Sequence, residues 1–369
     1  SLRDIRREML VTQVNVDVLH IPLPRPRALP RSDDADARLS DLEAITVLLV
    51  QLATDTGVTG LGFGHTTARG RSLRAAVEDD LTPHVVDADP LEHERIHQRL
   101  PVDCPAVARA ALDLALWDLK GKSANLPLSR LLGGVRDSVS VYAAETAWPW
   151  MSSDQILSIY EPLQARGVKR LRVAVGARDP ERDAHRLQSV RERVGLDDWF
   201  GVSANHAYDA ATALAMGRFL EEELDADWFE DPVGVGDAAG LARLADKLEL
   251  PIAVGGSFDR SSDFARWTAD TAAGVLRPDV MRLGGLTPAL KVIALAESFA
   301  RPVVPVLLPE VGVHLACGLP GVRAVDYVSW LEPLWMNPPT ICDGQMAPPT
   351  GAGLGLTLNP EAVAKFRLA

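Results

Sequence analysis

From about residue 138 onward the chain alternates short apolar runs with amphipathic stretches, and this alternation limits the possible folds more than any other feature. The apolar runs are VSVYAA (139–144), RLRVAVG (170–176), WFGVSA (199–204), DADWFE (225–230), PIAVGG (251–256), AGVLRPD (273–279), RPVVPVLL (301–308) and VDYVSWLE (325–332). Between them lie helix-patterned segments such as PERDAHRLQSVRERV, ATALAMGRFLEEEL, LARLADKLEL and TPALKVIALAESFA. Strand followed by helix, repeated at a spacing of about 25–30 residues until eight strands are present, is what a (β/α) barrel requires. A doubly wound open sheet usually has fewer units and a glycine-rich phosphate turn after its first strand. No G-x-G-x-x-G or Walker loop stands there, so the pattern predicts the barrel.

The residues ahead of the barrel read as a mixed α+β unit. MLVTQVNVDVLHIPL (9–23) and EAITVLLVQLATDTGVTGLGFG (43–64) are strand-rich, and the second ends in regularly spaced glycines. SLRAAVEDDL and AVARAALDLALWDLKGKSA carry helical periodicity. PRPRALPRSDDADARLS (24–40) has no hydrophobic period and reads as a long loop, either a lid or plain surface.

Composition narrows the function classes. The 369 residues, 47% hydrophobic and 24% charged, are in ordinary globular balance. A net charge of −12 argues against nucleic-acid or anionic-membrane partners, which call for a basic patch that releases counterions. No apolar run approaches membrane-spanning length. The charged start SLRDIRREML is unlike a signal peptide. Cys104, Cys317 and Cys342 are far apart, which favours a reducing compartment and three buried small hydrophobes rather than a disulfide frame. The expected setting is cytoplasmic and the expected partner a small molecule.

A barrel of this type places its chemistry where the strands end. Those positions are Glu145, Arg172 with Ala174, Ser203 with Asn205, Glu230, Gly256, Asp279, Val306 and Glu332. Strand alternation sends every second side chain inward, so Arg172 and Ala174 share one face, as do Ser203 and Asn205.

These residues and four longer motifs carry a resemblance. ARAALDLALWDLKGKSANLPLSRLLGG (108–134), WFEDPV, RPDVMRLGGLTPALKVIALAE and DGQMAPPTGAGLGLTL occur in the order found in the enolase superfamily, and the chain resembles the mandelate racemase group of its mandelate racemase/muconate lactonizing enzymes. The resemblance implies a (β/α)7β TIM-like barrel at 126–340 with an N-terminal α+β capping domain at 1–125, completed by a C-terminal return at 341–369. It implies a homo-oligomer, a small carboxylate substrate, and abstraction of the proton α to that carboxylate, racemase or dehydratase in type. Because such a carbon acid is very weak, Mg²⁺ held by three carboxylates stabilises the enediolate while a base of matched pKa takes the proton.

Several positions depart from the family pattern. Of the three metal positions, Glu230 is a carboxylate, while its partners fall on Ser203 and Gly256. The K-x-K bases fall on Arg172 and Ala174, and the histidine partner of Asp279 falls on Val306. An alkyl group accepts no proton, and an arginine stays protonated at neutral pH. The resemblance therefore implies Mg²⁺ in the family, with a depleted ligand set here. Asp279 and Glu332 keep the family's acid positions.

Two uses of Glu230 stay open at this level, as a lone metal ligand or as the ion-pair partner of Arg172 across the barrel mouth. Arg172 also suits a substrate carboxylate. His206, beside Asn205, is the candidate replacement base. His65 lies on a capping-domain turn that relatives fold over the site, and His314 reads as structural. Trp148 and Trp150 follow the first barrel strand, either to stack on a ligand or to pack. Two functions follow: a divergent enzyme acting on a hydroxy-acid or acid-sugar carboxylate, or a non-catalytic descendant that keeps the scaffold for ligand binding or assembly.

Overall fold

The computed structural model describes residues 9–23, 44–67, 70–145, 148–177, 179–269 and 273–368. The long 24–40 loop lies outside them. No helix among the described residues is long and apolar enough to cross a membrane.

The capping unit is an antiparallel sheet of β1 (Val11–Pro22), β2 (Ala44–Thr54) and β3 (Thr59–Thr66), in the order β1-β2-β3. The helix Ala106–Ser123 lies directly on β3. Its approach explains the spaced glycines of TGLGFGHT. A Cβ on Gly60 would strike Ala115 and Leu119, one on Gly62 would overlap the Ala111 carbonyl oxygen, and one on Gly64 would strike Val107 and Met281. Alternate residues of a strand share a face, so the three glycines form a smooth track for the helix backbone.

The barrel strands are β4 (Val139–Ala143), β5 (Arg170–Ala174), β6 (Trp199–Ser203), β7 (Trp228–Glu230), β8 (Ile252–Val254), β9 (Val275–Leu276) and β10 (Val325–Tyr327), successive neighbours running parallel from β4 to β9. The seventh barrel strand, near 302–306, joins by single bridges, Leu276 to Val303 and Val303 to Val322. Pro302 and Pro305 interrupt it, each lacking a ladder N–H. β10 pairs with β4, Val325 opposite Val141, and the eight-stranded barrel closes.

Two buried aspartates of the helix 106–123 fasten the parts together. Asp113 accepts from Thr287 N at 2.9 Å and Thr287 Oγ1 at 2.6 Å, gripping the barrel. Asp118 accepts from Leu61 N and Leu354 N, both at 2.7 Å, gripping β3 and the C-terminal segment at once. That segment first forms a hairpin of β11 (Ile341–Cys342) and β12 (Gln345–Met346), which pairs with the start of β4. Farther on, Arg367 bridges Leu19, and its guanidinium lies 2.9 Å from Asp17 on β1. Cys104 and Cys317 are buried as expected, but Cys342 is exposed because it lies on this short edge hairpin.

The glycine track yields a stability prediction. Gly62→Ala forces the helix off β3 and costs about 1–3 kcal/mol, as overpacking does, measured as a lowered urea midpoint of the intact chain.

Candidate active site at the barrel mouth

The barrel interior contains a layer of charge. Arg172 from β5, Glu230 from β7, Arg277 just after β9 and Asp326 from β10 come from the second, fourth, sixth and eighth barrel strands. Alternate strands supply one layer of a TIM barrel, and such layers are dominated by branched apolar residues. Here the four alternate in sign, and they are 5%, 3%, 0% and 1% exposed. Arg172 Nη1 donates to Glu230 Oε1 at 3.1 Å, and Arg277 Nη1 lies 3.1 Å from Glu230 Oε2. Arg277 Nη2 donates to Asp326 Oδ2 at 2.8 Å. Arg172 Nη2 is 3.9 Å from Asp326 Oδ1. Leu307 N also donates to Asp326, at 2.9 Å. Burial alone would lower both guanidinium pKa values, but the adjacent carboxylates outweigh it and hold both arginines raised. Beneath the layer, Arg277 stands 5.0 Å from the Trp228 ring centroid and 5.5 Å from that of Tyr142.

Above this layer opens a cavity of about 610 Å³. Arg172 and Glu230 form its floor, and Asn205, Gly256, Asp279 and Val306 line it where the strands end. Trp148, Trp150 and Trp330 form an aromatic wall, with Trp148 stacked on Trp150 at 5.0 Å and more loosely on Trp330 at 6.3 Å. Gly256 leaves room beside Val306, since a Cβ there would stand 3.4 Å from Val306 Cγ2.

The other sequence candidates divide. Asp279 caps the short helix Val280–Leu283, accepting from Met281 N at 2.7 Å and Arg282 N at 3.2 Å. Burial pushes its carboxyl up to about 6 against those two bonds. Glu332 accepts from Tyr327 Oη at 2.6 Å and is not among the residues lining the cavity. His65 lies within β3 rather than on a turn, packs edge-on against Trp330 at 5.6 Å, and burial lowers its pKa to about 4. His314 is structural: its Nδ1 accepts from Ser129 N at 3.2 Å, and its Nε2 lies 3.1 Å from Leu354 O. Ser203 is fully buried and donates to Asn205 Oδ1 at 3.3 Å. His206 lies behind the wall of the cavity, against Ser257 and Asp231. Arg277 and Asp326 escaped sequence reading. Their signal is a charge at inward parity within an apolar run, in AGVLRPD and VDYVSW.

Comparison with known proteins places this geometry. The family described as Enolase C-terminal domain-like matches residues 158–362, and the mandelate racemase/muconate lactonizing enzyme N-terminal domain matches residues 36–133. The chain belongs to the mandelate racemase/muconate lactonizing enzyme family. The L-talarate/galactarate dehydratase of Salmonella typhimurium is 30% identical over 347 residues, 91% of this chain and 87% of the relative. The 3,6-anhydro-alpha-L-galactonate cycloisomerase of Streptomyces coelicolor is 28% identical over 97% of this chain and 99% of its own. The L-talarate dehydratase of Polaromonas sp. JS666, solved with Mg and L-glucarate, superposes with a TM-score of 0.88 at 32% identity, covering 98% of each chain. Relatives in this family are thus acid-sugar dehydratases, with racemases and epimerases also among them.

The family's enzymes suggest Mg²⁺, and the residues present do not suit it. Mg²⁺ takes near-octahedral oxygen ligands. Both oxygens of Glu230 already face guanidinium groups. Gly256 supplies no side-chain oxygen, and the Ser203 hydroxyl is committed to Asn205. A unit-charge repulsion at 4 Å is about 4 kcal/mol at an effective dielectric of 20, and a dication doubles it for each arginine. Among the described residues no group of three or more His, Cys, Asp or Glu side chains is arranged to hold a metal.

Two predictions follow from this family member's charges. Glu230→Gln leaves two buried guanidiniums facing Asp326 alone within the layer and destabilises the fold by about 3–5 kcal/mol, read from equilibrium urea unfolding. Asp279 has a folded-state pKa near 6 against about 3.9 when unfolded. The folded state therefore holds the extra proton between these values, and this group reduces stability as pH rises through the window. Asp279→Asn, which keeps a capping acceptor, gains about 2 kcal/mol on the wild type between pH 4 and pH 7.5, measured as the change in unfolding free energy at the two pH values.

Proposed function

We propose that the chain binds an acid-sugar carboxylate in its mouth cavity without Mg²⁺, because the buried guanidiniums already neutralise Glu230, the carboxylate that a metal would need. One observation carries this reading: each oxygen of Glu230 meets a buried guanidinium at 3.1 Å. Arg172 lies on the floor, and Arg282, 51% exposed on its side chain, lies on the rim. Both present planar donor forks suited to carboxylates. The acid-sugar class is carried over from the dehydratases that this chain matches over nearly its full length.

The enediolate half-reaction finds less support. It needs a proton acceptor facing the α-carbon and a cation to absorb the charge. The base positions hold Arg172, Ala174 and Val306, and Glu332 is tied to Tyr327. In favour of that half-reaction, Asp279 remains on the cavity wall with its carboxyl poised near 6.

Calorimetric titration of galactarate and L-talarate in excess MgCl₂ or in EDTA tests the reading, together with α-proton exchange in D₂O. The expected result is acid-sugar binding of equal affinity in both buffers, no heat on adding Mg²⁺ alone, and no exchange. Metal-dependent binding accompanied by exchange refutes it.

A further inference from the structure

Behind the cavity wall, where the third, fourth and fifth barrel strands end, His206 Nε2 lies 2.7 Å from Ser257 Oγ and His206 Nδ1 lies 2.9 Å from Val233 O. A carbonyl oxygen can only accept, so Nδ1 carries the proton and the Nε2 lone pair receives the Ser257 hydroxyl. The tautomer follows from this network. Asp231 Oδ2 is 3.5 Å from the same Nε2, close enough to stabilise an imidazolium there. Asp231 does not occupy the Nδ1 side, where the backbone carbonyl does the orienting. Serine, histidine and an orienting acceptor are the parts of an activated nucleophile.

The backbone independently marks the same place. Asn205, His206 and Asp231 are all left-handed, with φ of 47°, 65° and 43°, and none is glycine. Asn, Asp and His are the non-glycine types that adopt this conformation most readily, and three such residues together are found more often at functional sites than elsewhere. A bond from His206 N to Asp231 O at 2.7 Å ties the two loops together. Ser257, Asn205 and Asp231 all line the large cavity.

We propose that Ser257 is an acyl-transfer nucleophile with His206 as its general base, and that the cavity hydrolyses an ester or lactone of a polyhydroxy acid. The substrate class rests on the acid-sugar reading above, whereas the nucleophile and base do not. Ser257 Oγ forms a bond to the carbonyl carbon as its proton passes to His206 Nε2. The tetrahedral adduct collapses, the C–O bond to the alcohol or ring oxygen breaks, and that oxygen takes the proton from Nε2. Water then attacks the acyl-serine, giving one proton to Nε2. The acyl–Oγ bond breaks, Ser257 recovers that proton, and the free acid leaves. No electrons change hands, and the only co-reactant is water.

The test treats the full chain with a fluorophosphonate, maps the adduct by peptide mass, and follows hydrolysis of p-nitrophenyl acetate and of the γ-lactone of galactonic acid. One adduct per chain on Ser257 is expected. Ser257→Ala should remove both the adduct and the hydrolysis, and His206→Gln should slow both by about a hundredfold or more. Ser257→Cys, checked by its thermal melt, guards against a folding artefact and should be alkylated faster than when combined with His206→Gln. An unlabelled Ser257 in folded protein, or labelling unaffected by His206→Gln, overturns the proposal even if galactarate binds. A labelled Ser257 that hydrolyses the acetate but not the lactone keeps the nucleophile and overturns the substrate class.

Discussion

Four buried charges of alternating sign, one from every second barrel strand, set the conditions for everything above them. Bringing two arginines and two carboxylates out of water is costly, and the cost is offset only while each charge keeps its neighbours. Arg277 touches both anions, Glu230 touches both cations, and Asp326 receives a backbone N–H as well. The layer fixes four strands by specific contacts where a typical barrel has interchangeable branched side chains. It also removes the usual electrostatic reason for a dication at the mouth.

The capping unit depends on a different economy of space. The helix 106–123 sits against the glycines of β3, sends Asp113 to the barrel, and uses Asp118 to hold both β3 and the C-terminal segment. Cap, barrel and C-terminal segment thus meet on one rigid element. The aromatic wall of the cavity continues into this arrangement through the edge-on contact of His65 with Trp330. The cavity itself is lined by barrel residues, and the cap backs its wall, held to the barrel by buried hydrogen bonds from Asp113 and Asp118.

Much of this was legible in the sequence, for identifiable reasons. The eight strands announce themselves because each is a short apolar run with helical periodicity between neighbours, and even the irregular seventh is visible in RPVVPVLL. Arg172, Glu230, Gly256, Asp279 and Val306 converge because strand ends in a barrel converge. What stayed hidden depends on side-chain reach and on packing across the barrel. Glu332, which the resemblance sets in the family's acid position, turns to Tyr327, and Cys342 sits on an edge hairpin that no periodicity marks. Arg277 is hard to read because an arginine in RPD looks like a strand terminus, although its inward parity carries it to the barrel centre. Ser257 was invisible for a related reason, since its partner His206 is 51 residues away and the two meet only when adjacent loops close.

The charged layer also limits how this mouth can be rebuilt. Converting this mouth into a metal site requires new carboxylates near Ser203 and Gly256 and the loss of Arg172. Taken singly, each step leaves the buried charge unbalanced: losing Arg172 first leaves Arg277 against two anions, and adding a carboxylate first places a third anion beside a neutralised pair. Single substitutions toward a metal site therefore each pass through a poorly balanced, less stable barrel, and a redesign would have to change the layer and the mouth together.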